Sequence, residues 1–171
     1  MTNALSPHLS AFAINDWMFE RALTTIPESA GDRRLDPSTN PARAIALHLL
    51  AARHSLCSLL GAPPAPLPWS KEQMGEGTQA GYQPSGPKPS LGELVTLWRR
   101  LSPHFHATLG GASASTLGAP SPMPIPGVAN ATVGDFAKLN VVHECYHLGQ
   151  IGMLTKAITG KRVLQPDAPG A

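Results

Sequence analysis

The chain of 171 residues has little charge and no long apolar run. Charged residues make up 14% of it, the formal net charge is +2, and the lysines and arginines are scattered. This composition argues against a nucleic-acid-binding surface, which needs clustered basic residues. Because no apolar run approaches the length of a membrane span, we expect no membrane segment. The N-terminus also lacks the basic start and apolar run of a signal peptide.

Cysteine is scarce as well, with only Cys57 and Cys145 in the whole chain. Two cysteines do not make a disulfide framework, so a reducing cytoplasm is the simplest location for the protein. We interpret both as small buried apolar residues rather than metal ligands or nucleophiles.

No segment alternates like a β-strand, whereas helical periodicity is present in four segments. The chain holds 18 prolines and 16 glycines, many of them in two segments, 62–89 and 110–130, which we predict to be long loops. We expect Pro103 to kink or shorten the third helix. The fold predicted is all-α, a four-helix bundle over residues 1–162 with a flexible tail at 163–171. Its helices would cover 6–26, 40–61, a stretch from residue 90 onwards, and 132–159.

The fourth predicted helix contains His-Glu-x-x-His, from His143 to His147. This pattern is usually read as a zinc-protease signature, and its two histidines project from one helical face. A protease of this kind needs a third ligand downstream, where Asp167 is the sole acidic residue. The extended protease pattern needs a histidine at the position of Met153. The protease interpretation therefore fits poorly.

An upstream histidine fits better as the third ligand. His48 lies in the apolar stripe of the second predicted helix, and metal sites in bundles are built from facing helices. His48, His143 and His147 would together hold one divalent ion and leave a coordination position open. The alternative is that these are core histidines with ordinary hydrogen-bond partners. His104 is a reserve ligand, and His54 points to another face of its helix.

Four further residues are candidates for the chemistry of the site. Gln150 lies on the ligand face, where it could orient water or substrate, or simply bond another helix. Glu144 would be the base in a protease; in a bundle it could contact a neighbouring helix or support the metal ligands. Trp69 and Tyr82, in the first long loop, could line a substrate pocket or anchor the loop. We expect Tyr146 to pack between helices.

The sequence resembles a known family in three places. The stretch "HECYHLGQIGML" is similar to the C-terminal helix of DinB/YfiT-like proteins, in which a His-x-x-x-His pair is followed by Gly-Gln. The stretch "NPARAIALHLLAARHSLCSLLG" is similar to their second helix, which carries the first histidine. "PSLGELVTLWRRLSP" matches the third helix. The resemblance covers most of residues 8–162 in the right order.

The resemblance implies a four-helix bundle that binds a divalent metal through His48, His143 and His147. Zinc or nickel would be the first candidates, with iron, manganese or copper as alternatives. It also implies a homodimer and a similarity to bacterial thiol-dependent S-transferases, which use low-molecular-weight thiols as cosubstrates. The substrate would be a small molecule, with no role for DNA.

Other functions remain open at this point. The protein could be a metal-dependent hydrolase, a non-catalytic binding protein of a stress response, or a bundle with metal-free structural histidines. Because ligand histidines must be neutral, an ordinary imidazole pKa predicts that a bound metal is lost below about pH 6.

Overall fold

A computed structural model describes residues 5–69 and 88–165, and the fold within these ranges is entirely helical. Short 3-10 turns at Ser6–His8 and Glu28–Ala30 flank the first helix. Four long helices form the bundle predicted from the sequence, and one short helix lies in the second loop. They are α1 (Leu9–Thr25), α2 (Ala42–Leu59), α3 (Leu91–Gly111), α4 (Ala114–Gly118) and α5 (Val133–Thr159).

The helix ends follow local side-chain chemistry. Ser90 and Glu93 form a reciprocal capping box at the start of α3, and Thr132 and Asp135 form another at the start of α5. Gly160 ends α5 in the left-handed region, at a φ of 74°, where glycine carries no steric penalty. These caps fix where the longest helix begins and ends, and thereby where its histidines lie.

Two apolar clusters show how the helices run. The first joins the C-terminal half of α1 to the N-terminal halves of α2 and α3 and the C-terminal half of α5. The second joins the opposite halves of the same four helices. Consequently α2 and α3 run parallel to each other and antiparallel to α1 and α5. The connection between α2 and α3 joins opposite ends of the bundle, about 27 Å apart for a helix of 18 residues, and so it has to be long.

Each helix packs against two neighbours. Helices α1 and α2 both contact α3 and α5, so that α1 lies diagonally opposite α2. The centre holds stacked rings of Phe19 and Trp98, with centroids 3.9 Å apart. Both side chains are fully buried, and each contributes about 1.5–3 kcal/mol of hydrophobic stabilisation. No helix of the described part has the length and apolar character needed to cross a membrane.

The structure corrects three details of the sequence interpretation. Helix α3 continues eight residues beyond Pro103, so the proline does not shorten it. The loop predicted at 110–130 contains α4, whose Leu117 is buried in the second apolar cluster. Val163, assigned to the flexible tail, is buried against the bundle, and Arg21 donates to the carbonyl oxygens of Val163 and Gln165. The packed part of the chain therefore reaches Val163.

Candidate metal centre

Helices α2 and α5 bring His48, His143 and His147 together. One potential ligand nitrogen from each ring lies within 4.8 Å of the other two. The ring centroids are 4.6–4.8 Å apart, and the rings meet edge to face at 70–84°. Two ligands of one tetrahedral zinc ion lie about 3.3 Å apart, given Zn–N bonds of about 2.0–2.1 Å. The nitrogens are thus already near the spacing that one shared ion requires.

The cluster keeps its histidines neutral. Burial, and then the charges that His143 and His147 would carry, lowers the pKa of His48 from 6.5 to about 4. Burial and the neighbouring His147 likewise lower the pKa of His143 to about 4. The pKa of His147 is also lowered by burial, although its hydrogen bond to Gln150 acts in the opposite direction. Neutral imidazole is the form that binds metal, so the site favours the state a ligand needs.

Gln150 fixes the orientation of His147. It lies one turn further along α5, and its Oε1 is 2.7 Å from His147 Nδ1. A carbonyl oxygen can only accept, so Nδ1 carries the proton and Nε2 is left as a lone-pair donor. Such a hydrogen bond to the outer ring nitrogen is what orients metal-binding histidines in proteins. Gln150 therefore supports the metal-binding form of His147.

The other two rings are less completely satisfied. His48 Nε2 and His143 Nε2 are 2.8 Å apart, and the buried Nδ1 of His143 has no hydrogen-bond partner within the described residues. Buried polar atoms are almost always paired, so the unpaired Nδ1 of His143 distinguishes this cluster from an ordinary hydrogen-bonded core. The donor set of three imidazoles suits a divalent first-row metal.

A cleft of about 480 Å³ is linked to the histidine cluster through Gln150, although none of the three histidines is among its lining residues. Gln150 connects the two, because it bonds His147 and also lines the cleft. The other lining residues come from the α1–α2 connection and from α2 and α5: Leu35, Ser38, Thr39, Asn40, Ile45, Tyr146, Met153 and Leu154. Its size is that of a small-molecule site.

Glu144, the second residue of the apparent protease motif, belongs to a different cluster. Its carboxylate accepts two hydrogen bonds from Arg53, at 2.6 and 2.8 Å, and a third from Asn15 at 3.1 Å. Both Glu144 and Arg53 are 1% exposed. The carboxylate therefore contacts neighbouring helices, one of the two roles expected for it, and is fully engaged there.

Arg53 organises a network that the sequence analysis missed. Its Nη1 donates to Asp16 at 2.5 Å and to Ser102 at 2.9 Å, and its guanidinium lies 3.7 Å from the centroid of the Trp98 ring. An arginine within the apolar stripe of α2 was the available signal. We call the following set the Arg53 network: Arg53, Glu144, Asn15, Asp16, Ser102 and His106.

Two pKa shifts show how tightly the Arg53 network is paired. Burial alone would lower the pKa of Arg53, but the charges and hydrogen bonds of Glu144 and Asp16 outweigh it and raise that pKa. Burial alone would raise the pKa of Asp16, but the hydrogen bond with His106 and the charge of Arg53 lower it. Both shifts favour the ionised forms of Arg53 and Asp16.

The remaining candidates lie away from the histidine cluster or outside the described residues. Trp69 packs against the first apolar cluster, in agreement with a loop anchor, and Tyr82 falls outside the described ranges. His104, the reserve ligand, is exposed and lies 2.8 Å from the carbonyl oxygen of Ala62. The interpretation of Cys145 as buried is wrong, because it is exposed, whereas Cys57 is buried as expected.

The expectation that Tyr146 packs between helices is also wrong, because 64% of its surface is exposed. It follows Cys145 on the outer side of α5, and its ring meets that of His147 edge to face, 5.2 Å between centroids. The residue therefore belongs to the wall of the cleft rather than to the core.

Comparison with known proteins agrees with this architecture. Searches of curated proteins and of solved structures gave no significant match. The family model of the DinB superfamily matches residues 15–151, a span that contains all three histidines and most of the four-helix bundle. With its helical fold and three-histidine cluster, the chain belongs to the DinB superfamily.

Proposed function

We propose that the protein is a metal-dependent enzyme that acts on small molecules, of the thiol S-transferase type. The observation that carries the proposal is the convergence of His48, His143 and His147 beside a cleft of about 480 Å³. Three neutral imidazoles would hold one divalent ion, with zinc or nickel preferred and iron, manganese or copper as alternatives. The ion would supply a Lewis acid that lowers the pKa of a thiol or water entering its open position.

The residues around the site favour a thiol from outside the protein. Cys57 is buried in the second apolar cluster, and Cys145 donates a hydrogen bond to Asn15 on α1 at 3.6 Å. Neither sulfur belongs to the histidine cluster. In the proposed transfer, the thiol sulfur forms a bond to an electrophilic carbon, the leaving group departs with its electron pair, and the thiol proton passes to solvent.

A metal-dependent hydrolase is the second candidate. The engagement of Glu144 with Arg53 weighs against it, because hydrolysis at a His-Glu-x-x-His site uses that glutamate as the general base. No carboxylate is among the described residues that line the cleft. A non-catalytic metal-binding role would use the same histidines without turnover.

The test is a conjugation assay with protein purified without an affinity tag and analysed for metal. Metal-loaded protein is incubated with glutathione, bacillithiol or mycothiol and monobromobimane. We expect conjugation that depends on the metal and disappears in His143→Ala. Hydrolysis of esters or amides without conjugation would replace the transferase by the hydrolase, and stoichiometric metal without any turnover would leave the binding protein.

We further propose a bacterial, cytoplasmic homodimer. Ile14 and Trp17, three residues apart on α1, are exposed apolar residues on one side of that helix, and they fit a protein interface. Light scattering coupled to size-exclusion chromatography tests the dimer. A monomer at all accessible concentrations would contradict it.

A further inference from the structure

Three exposed apolar side chains converge on the cleft beside the histidines. Leu35, in the α1–α2 connection, is 43% exposed, and Tyr146 and Met153 on α5 are 64% and 66% exposed. Ile45 and Leu154 contribute further apolar surface to the cleft. Leaving large apolar groups in water is unfavourable, and their convergence in a concave site indicates a ligand that covers them.

The polar groups of the cleft carry no charge. Ser38 and Thr39 direct their hydroxyl groups to Asp36, where Thr39 Oγ1 donates to the backbone oxygen at 2.8 Å. None of the lining side chains in the described part of the protein is charged. A charged ligand would have to give up its hydration here without a counter-charge, which is strongly unfavourable.

Gln150 presents a hydrogen-bond donor to this surface. Its Oε1 is occupied by His147 Nδ1, which turns the amide nitrogen away from the ring. Within residues 5–69 and 88–165 no hydrogen bond uses Gln150 Nε2. An amide nitrogen can only donate, so its natural partner is an acceptor oxygen of a ligand.

We propose that this cleft binds an uncharged, largely apolar molecule whose carbonyl or equivalent oxygen accepts a hydrogen bond from Gln150 Nε2. The inference rests on the proposed function, in which this molecule would be the electrophile and the thiol would bind at the open coordination position of the metal. It assigns to Leu35, Tyr146 and Met153 the role of contacting the electrophile. In the metal-free protein, a carboxylate or phosphate should therefore bind in the cleft more weakly than an uncharged molecule of the same shape.

The test measures fragment binding to the metal-free full-length protein by NMR, so that its result does not depend on catalysis. The probes are acetophenone, which is neutral and carries one acceptor, and benzoate, its charged counterpart. We expect acetophenone to bind about tenfold more tightly, because benzoate would bury a charge. We also expect chemical-shift changes at the side-chain amide of Gln150.

Two matched variants locate the site. Met153 and Val142 are equally exposed on α5, but only Met153 lines the cleft. Met153→Ser should weaken acetophenone binding about threefold or more through lost apolar contact, whereas Val142→Ser should leave it unchanged. Gln150→Glu keeps the acceptor for His147 and removes the donor, so it should also weaken acetophenone binding.

Equal affinity for benzoate and acetophenone, or equal effects of Met153→Ser and Val142→Ser, would overturn the inference. The absence of acetophenone binding would also overturn it. Conjugation activity in a protein that fails these tests would leave the proposed function standing without this substrate class. Acetophenone binding without conjugation activity would support the ligand class of the cleft and contradict the proposed transferase function.

Discussion

The bundle core contains two polar clusters that differ in how completely their atoms are paired. In the Arg53 network, Arg53 and Glu144 are 1% exposed, and the guanidinium and the carboxylate bond each other, Asn15, Asp16 and Ser102. In the histidine cluster, by contrast, His48 and His143 are half-buried, and one buried nitrogen of His143 lacks a partner. We call the Arg53 network the closed cluster, because its charged groups are paired with one another. We call the histidine cluster the open cluster, because one of its buried nitrogens has no partner among the described residues.

The apparent protease motif is divided between these clusters. Its two histidines, His143 and His147, belong to the open cluster, whereas Glu144 points into the closed one. A closed buried network holds helices in register, because every charge in it requires its partner. The histidine cluster, with its neutral rings and the unpaired Nδ1 of His143, is instead compatible with binding a metal ion. The closed cluster therefore stabilises the bundle, whereas the open cluster is the candidate metal site.

Breaking the closed cluster should have the largest effect. Glu144→Leu leaves Arg53 buried without its carboxylate, and we expect a loss of about 3–5 kcal/mol in the free energy of unfolding. Urea denaturation at pH 7 measures it. The double variant Arg53→Met with Glu144→Leu should recover part of the loss, because the only charge that loses its partner is then Asp16, which is partly exposed and still bonds Ser102 and His106. A cost below about 1 kcal/mol for Glu144→Leu would show that Arg53 is not dependent on this pair.

Breaking the open cluster should abolish metal binding without unfolding the protein. For His48→Ala and His147→Ala we expect metal affinity to fall more than about a hundredfold, since even changes outside the ligand set cost about 10–100-fold. The apolar clusters should maintain the helical circular dichroism spectrum of both variants. His104→Ala is the matched control, because this histidine lies outside the cluster. An unfolded metal-free protein, or a metal-loaded structure with the rings apart, would contradict the assignment.

A smaller effect is expected from Gln150, whose hydrogen bond orients His147. Gln150→Leu removes the acceptor for His147 Nδ1, so we expect metal affinity to fall about tenfold. Gln150→Glu restores an acceptor and should retain the affinity. Isothermal titration with zinc distinguishes the two variants. Equal losses in both would mean that Gln150 acts through packing rather than through its hydrogen bond.

The sequence predicted the helices and the histidines because both depend on local periodicity. The ligand spacing on α5 and the capping box of Ser90 and Glu93 are set within a few residues, and the apolar stripe of α2 contains His48. Bundle packing then requires the stripes to face each other. The resemblance to the DinB family added the order of the elements, which the family model confirms.

Features that depend on side-chain partners from distant helices could not be read in the same way. Arg53 bonds Glu144, 91 residues away, and no local pattern encodes such a pair. The exposure of Tyr146 and Cys145 depends on how far α5 is rotated against its neighbours, which periodicity fixes only approximately. The length of the α2–α3 connection has a similar origin, because it follows from the parallel course of the two helices, which no local pattern shows.

The two clusters should also titrate in different pH ranges. The pKa of Asp16 is lowered from 3.8, so its stabilising contribution is present above that value and is lost only at lower pH. The histidines behave differently, because the pKa values of His48 and His143 are lowered from 6.5 to about 4. Protons compete with a metal for these two ligands only near pH 4. Metal binding should therefore persist below the limit of about pH 6 that an ordinary imidazole predicts.

A final prediction concerns the response of the metal-free protein to pH. Between about pH 6.5 and 4, His48 and His143 are protonated in the unfolded chain but remain neutral in the folded protein. The free energy of unfolding should therefore decrease as the pH falls through this window. Urea denaturation of the metal-free protein at pH 7, 5.5 and 4.5 measures the slope, which should be shallower in His143→Asn. A slope that this variant leaves unchanged would mean that the open cluster does not hold its histidines neutral.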